Sequence, residues 1–258
     1  MIDLFVVVNN YKEAYPGPML RTFNVLLPPN VFYLEVGPAE ERLHAKYSVL
    51  SRAHLDKGTS RWFHSYVWAR LAQPCRIVWA RDDVARQRVH MALGQAVLRF
   101  HAEVAPTLVG REVTSGAIWN EGLVRTYASE LRPEGTERAE WLVEQNGEDY
   151  ERLTTAVEPA VAHRLEPIGQ GRFRPLGRVA DARRARLRWF LRRAQGKVLS
   201  VLRLGKSALI FEGAAEYVAM KVERHTGSPI AVPPFVRRHP FIGAPYALVV
   251  LLVRRVIR

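Results

Sequence analysis

The sequence predicts an α+β fold, and three observations carry that expectation. Residues 1–81 hold apolar, β-branched runs broken by Pro, Gly and Asn turns. Residues 82–165 repeat their apolar side chains at three- and four-residue steps, and residues 166–258 are dominated by arginine. These shifts divide the chain into a mixed-sheet domain, a helical domain and a basic, amphipathic C-terminal region.

Ile2 to Val8 is an apolar run and reads as a buried strand, with Asp3 near its start. A buried carboxylate is costly unless a cation or hydrogen-bond donors surround it, so Asp3 is either a metal ligand or a capping group. The turn Asn9-Asn10 and the loop around Tyr15-Pro16-Gly17-Pro18 lead to a second strand, Asn30 to Val36, launched by Pro28-Pro29. A third strand runs from Ala45 to Leu50. A helix is expected near Ser60 to Leu71 and a further strand over Pro74 to Trp79.

In the middle segment Val84, Val89, Met91, Leu93, Val97 and Phe100 keep helical spacing. Thr114 or Ser115 caps a helix over Gly116 to Tyr127, and Thr136 with Glu137 opens another. Between Gly169 and Lys206 there are 12 Arg or Lys residues against one acid, Asp181. Leu187, Trp189, Phe190 and Leu191 lie on a helical repeat there, so the stretch reads as a basic amphipathic helix suited to an anionic surface. Phe211 to Thr226 reads as a helix closed by Gly227, and the chain ends on a short apolar segment with three arginines.

Composition narrows the classes. Cys75 is the only cysteine, which excludes an intramolecular disulfide framework and a Cys-based zinc site and fits a reducing cytoplasm. The formal charge of +13 attracts polyanions, whether nucleic acid, nucleotide or anionic membrane, without choosing among them. A GC-rich genome also raises arginine content. No basic segment precedes the first apolar run, so no signal peptide is expected. The longest apolar stretch, Ala247 to Val253, is 7 residues, far below the roughly 20 needed to span a bilayer.

Several segments in order resemble one family. Ile2-Asp3-Leu4-Phe5-Val6-Val7-Val8 is similar to the back half of the nucleotidyltransferase signature, in which a Gly-Ser turn precedes a strand with two alternate carboxylates. Ala45-Lys46-Tyr47-Ser48-Val49-Leu50-Ser51 resembles "Lys-Tyr-Gly-Val-Ile-Ser", and Tyr66 to Ile77 resembles "Tyr-Ile-Ala-Gly-Arg-Leu-x-Lys-Pro-Val". Thr126-Tyr127-Ala128-Ser129-Glu130-Leu131-Arg132 is similar to "Ser-Tyr-x-Gly-Asp-Phe-Arg". Glu212 to Gly227 is similar to "Asp-Gly-x-x-Asp-Tyr-x-x-x-Lys-x-x-Arg-His-Ser-Gly". The patterns they resemble are those of the mitochondrial translocator assembly and maintenance proteins and their bacterial relatives, which are phosphatidate cytidylyltransferases.

The resemblance implies a nucleotidyltransferase-like sheet, a winged-helix-like helical domain and a membrane-associating tail. It implies synthesis of CDP-diacylglycerol and pyrophosphate from CTP and phosphatidic acid, a step toward cardiolipin, with Mg²⁺ as cofactor. The enzyme would be cytoplasmic and peripheral on the inner face of the membrane. Asp3 would be the catalytic metal ligand; Lys46, Tyr47, Arg70, Tyr127, Glu130 and Arg132 would bind nucleotide or substrate. Glu35 has no family counterpart and is open as a further acid or a surface residue.

The sequence departs from the pattern. Met1 stands where the first acid would be, the Gly-Ser turn is missing, Glu130 replaces Asp and Ser129 replaces Gly. The reading adopted is truncation at the amino terminus, with activity in doubt if the chain is whole. Two rivals remain at this level: another nucleotidyltransferase-fold enzyme with a different acceptor, and a non-catalytic module that binds polyanions, nucleic acid included.

Overall fold

A computed structural model describes residues 2–38, 41–131 and 136–210. The chain is α+β and divides into two compact units, one of Met1–Leu55 with Val198–Arg258 and one of Asp56–Lys197. These divisions, at 55/56 and 197/198, differ from the sequence boundaries at 81/82 and 165/166. The reason for the later difference is local: the hairpin after residue 164 completes a sheet begun inside the helical segment.

The first unit is built on β1 (Ile2–Val8), β2 (Asn30–Val36) and β3 (Leu43–Ser51), in the order β1-β3-β2. β1 runs parallel to β3 and β2 antiparallel to it. Two short helices, α1 (Tyr11–Ala14) and α2 (Pro18–Leu26), connect β1 to β2. Asn10 starts α1 by accepting from the Lys12 and Glu13 amides, and Pro18 suits the first turn of α2, where its missing N–H leaves nothing unpaired.

Side chains alternate along a strand, so one sheet face carries Val8, Phe32, Tyr47 and Val49. Tyr11, Tyr15 and Val49 form the buried cluster on that face, with Phe32 and Tyr47 stacked at 5.2 Å. Asn24 of α2 is fully buried and ties the layers: its Nδ2 donates to Val49 O at 3.1 Å, and its Oδ1 accepts from the Asn30 amide at 2.7 Å. β1 does not behave as the buried strand expected. It is an edge strand, and Ile2, Val6 and Val7 are 51, 40 and 36% exposed. Its apolar character reflects β propensity more than burial.

α3 (Arg52–Ser60) carries the chain from one unit to the other. Where one helix was expected near 60–71, the chain forms α3 and then a separate short α4 (Trp68–Leu71). The strand expected over Pro74 to Trp79 is irregular, with Val78 and Trp79 80 and 78% exposed. An apolar run becomes a strand only with a hydrogen-bonding neighbour, and this one has none among the described residues.

The second unit continues with α5 (Asp83–Val104), β4 (Val113–Thr114), α6 (Ser115–Ala128), α7 (Thr136–Gln145), α8 (Gly147–Val161), β5 (Leu165–Gly169) and β6 (Arg172–Pro175). The long α9 (Val179–Ile210) begins in this unit and ends in the first. The segment read as all-helical therefore includes β4, which pairs with β6 in a sheet ordered β4-β6-β5. Thr114 caps α6 as expected, its hydroxyl accepting from the Ala117 amide.

The core of this unit is aromatic. Phe100 stacks on Trp119 at 4.3 Å, and Trp119 lies 4.5 Å from Tyr150. A Cβ at Gly122 would lie 2.1 Å from Phe100 Cζ, so the close approach of α5 and α6 requires glycine there. Beside it, Thr154 Oγ1 donates to Tyr150 O and accepts from Trp119 Nε1 at 3.0 Å. His101 Nε2 lies 3.2 Å from the same hydroxyl, and its Nδ1 faces Val97 O at 2.9 Å. Burial pushes His101 down to about 4, so the ring is neutral at pH 7.

The face that α9 buries is not the one its apolar residues suggest. Leu187, Phe190 and Leu191 are 60, 67 and 50% exposed, whereas Ala182, Ala185, Trp189, Arg192 and Gly196 pack inward. Small residues win because the helix lies very close to its neighbour: a Cβ on Gly196 would stand 2.1 Å from the Ser129 carbonyl oxygen. In the first unit, Lys206 donates to the carbonyls of Leu27 and Pro29, and Arg203 Nε to that of Pro28. With no carboxylate in this set, burial lowers the Lys206 amine to about 7.

Candidate functional site

The sequence candidates gather into two separate pairs, one in each unit. In the first, the parallel register sets Asp3 opposite Lys46, so both side chains leave the same sheet face. Lys46 Nζ donates to Asp3 Oδ2 at 3.1 Å, and the side chains are 24 and 50% exposed. The acid is thus met by a cation on the adjacent strand. Tyr33, paired with Lys46 from β2, and the His44–Glu35 pair lie on the same face.

This face is polar at one end. Glu35 accepts from Arg42 Nη1 at 3.0 Å and faces His44 Nδ1 at 3.4 Å, while that nitrogen is also hydrogen-bonded to the Tyr33 hydroxyl. The Arg42 hydrogen bond holds the Glu35 carboxyl below its ordinary range. Glu35 stands on the strand beyond β3 from Asp3, roughly 10 Å across two strand spacings. The two acids are therefore not neighbours. Tyr47, adjacent to Lys46, points to the opposite face and packs on Phe32 in the apolar cluster.

Magnesium is commonly held through one or two carboxylates, with substrate phosphate oxygens and water completing the octahedron. Half-exposed Asp3 fits the role of one such ligand. No group of three or more His, Cys, Asp or Glu side chains suited to a metal occurs among the described residues.

In the second unit, Arg70 of α4 donates through Nη2 to Glu130 Oε2 at 2.6 Å. Its guanidinium also lies 4.3 Å from the Tyr66 ring centroid, a cation–π distance. The pair is largely buried, at 19 and 10% side-chain exposure. Glu130 follows the C-terminus of α6, and Tyr127, one turn earlier, is 8% exposed. The fold thus joins the Tyr66–Arg70 and Thr126–Glu130 segments. Arg132 and the segment from Phe211 onward, with His225 and the terminal arginines, lie outside the described residues.

Sequence reasoning missed a charged cluster in the second unit. Glu103 of α5 accepts from Arg188 at 3.1 Å and Arg192 at 2.9 Å, and Arg99 lies 3.8 Å away. The Arg192 side chain is 0% exposed, its guanidinium 4.3, 4.8 and 5.4 Å from the rings of Trp189, Phe63 and Trp68. Its Nε donates to Phe63 O at 2.7 Å. Burial lowers both Arg99 and Arg192 from the ordinary arginine value, with Glu103 opposing that shift. The available signal was the spacing Trp189, Arg192, Gly196, which places one arginine on the packing face of a helix.

No helix among the described residues is long and apolar enough to cross a membrane. No family model matches the chain, and no curated protein matches it at a significant level.

Proposed function

We propose that this chain is a nucleotidyltransferase of the phosphatidate cytidylyltransferase type, joining CTP to phosphatidic acid to form CDP-diacylglycerol and pyrophosphate. The observation that carries the reading is the pairing of its segments. Those resembling the family in order along the sequence also meet in space within each unit, through Asp3 with Lys46 and through Arg70 with Glu130. The connectivity of the second unit supports the family's winged-helix-like domain: helix, short strand, helices, then a hairpin whose second strand returns to the first.

In the reaction the lipid phosphate oxygen forms a bond to the α-phosphorus of CTP while the bond to the β-phosphate oxygen breaks and pyrophosphate departs. Such transfer depends on positioning and on neutralising negative charge. Lys46 is the compact cation assigned to the triphosphate, and Asp3 is the residue that would hold Mg²⁺. When bound, that ion would offset charge on the departing pyrophosphate. Arg70, oriented by Glu130, is assigned to substrate phosphate, with Tyr127 and Arg132 assigned to substrate binding by resemblance alone. The exposed Leu187, Phe190 and Leu191, flanked by Arg183, Arg184, Arg186 and Arg193, support peripheral binding to the anionic inner face of the membrane.

The test is conversion of labelled CTP with phosphatidate vesicles and Mg²⁺, using the chain as it is and with any residues encoded upstream of Met1. CDP-diacylglycerol should form, and Asp3→Asn should reduce its rate at least about 100-fold. Failure of both folded forms to release pyrophosphate in the presence of phosphatidate would discard the assignment.

A further inference from the structure

The arginine cluster around Glu103 has more positive charge and more donors than the described residues around it answer. Arg99, Arg188 and Arg192 converge on one carboxylate, leaving two positive charges without a counter-ion in the cluster. This imbalance is partly desolvated, since the Arg99 and Arg192 side chains are 11 and 0% exposed. Buried guanidinium groups without compensating charge are costly.

Hydrogen bonding shows the same deficit independently. Arg192 Nη1, Arg99 Nε and Nη1, and Trp68 Nε1 are all buried and meet no acceptor among the described residues. They belong to one neighbourhood: the Arg99 and Arg192 guanidinium carbons lie 5.8 and 5.4 Å from the Trp68 ring centroid. All four are donors. A buried donor with no acceptor costs about 1–3 kcal/mol, more when charged. Arg188, 56% exposed at its side chain, gives the cluster an open side.

We propose that Arg99, Arg188 and Arg192 of the second unit form a binding site for a phosphate monoester dianion. Such a group brings two negative charges and several acceptor oxygens, answering both deficits, and arginine forks match its geometry. A lipid phosphatidate headgroup and free inorganic phosphate share this chemistry. The site stands whether or not the chain is a transferase, because it rests on none of Asp3, Lys46, Arg70 or Glu130.

The experiment is calorimetric titration of the full chain with inorganic phosphate, with dihexanoyl phosphatidate below its micellar concentration, and with dihexanoyl phosphatidylcholine. Saturable binding of phosphate and phosphatidate at similar affinity assigns the site to the phosphate group itself. Binding of phosphatidate alone assigns it to the lipid headgroup with part of its glycerol ester. Arg99→Met should weaken binding at least about tenfold, as loss of a charge-assisted hydrogen bond predicts. Arg188→Gln, at an exposed side chain that spares the core, should weaken it severalfold. Arg152→Gln, at a side chain 75% exposed on α8, should leave it unchanged. Failure of both phosphate ligands to bind saturably, equal binding of phosphatidylcholine, or unaltered affinity in Arg188→Gln would overturn the proposal.

Discussion

His101 makes the second unit sensitive to acid in a way that can be worked out. Its ring is buried with one nitrogen on Val97 O and the other beside Thr154, and burial lowers its pKa from an ordinary 6.5 to about 4. The folded value is depressed, so below pH 6.5 the unfolded chain binds a proton that the folded chain refuses. Stability from the neutral ring is fully present above pH 6.5 and is lost as pH falls toward 4. Between pH 7 and 5 the loss is about 2 kcal/mol, and over the full window it approaches about 3 kcal/mol.

Urea unfolding, followed by tryptophan fluorescence at pH 7, 6 and 5, gives this slope. Carboxylates titrate in the same range, so the comparison is with His101→Gln. That variant should be less stable at pH 7, yet lose about 2 kcal/mol less than the native protein between pH 7 and 5. Parallel pH profiles would refute the reasoning and mean that the ring takes up its proton in place.

Three further outcomes follow from the packing. Gly122→Ala should destabilise the second unit by about 2 kcal/mol through overpacking against Phe100, whereas Gly94→Ala, with nothing within 4 Å of its new methyl, should stabilise by about 0.5–1 kcal/mol; thermal unfolding distinguishes them. Glu130→Gln leaves the largely buried Arg70 without its counter-charge and should cost about 2 kcal/mol, while the double replacement of both by Met should recover most of it, as a double-mutant cycle in urea would measure. Phe190→Asp, at a side chain 67% exposed, should leave the melting temperature within about 2 °C but reduce sedimentation with phosphatidate-containing vesicles severalfold.

Local chemistry was legible in the sequence where neighbours decide it. The Thr114 cap depends on a contact only three residues away, and α7 starts at Thr136 as the sequence suggests. The Asp3–Lys46 and Arg70–Glu130 pairs span 43 and 60 residues and were approached only through the order of resembling segments, since no composition or period links such positions. The strand expected at Pro74 to Trp79 failed because β structure depends on a partner that no local pattern reveals. The buried side of α9 was not legible for a different reason: close approach at Gly196 and Glu103, 89 residues before Arg192, determine it, and neither shows in the helix's own pattern.

The contact of Gly196 with the Ser129 carbonyl has a consequence for descent. A side chain at 196 would collide with main chain, and substitution at 129 cannot remove a carbonyl oxygen. Among chains that share this architecture, position 196 should therefore admit only glycine unless the last turn of α6 has moved. With Gly122, whose constraint is set by Phe100, it supplies a pair of fixed points by which distant relatives could be aligned even after the surrounding sequence has diverged.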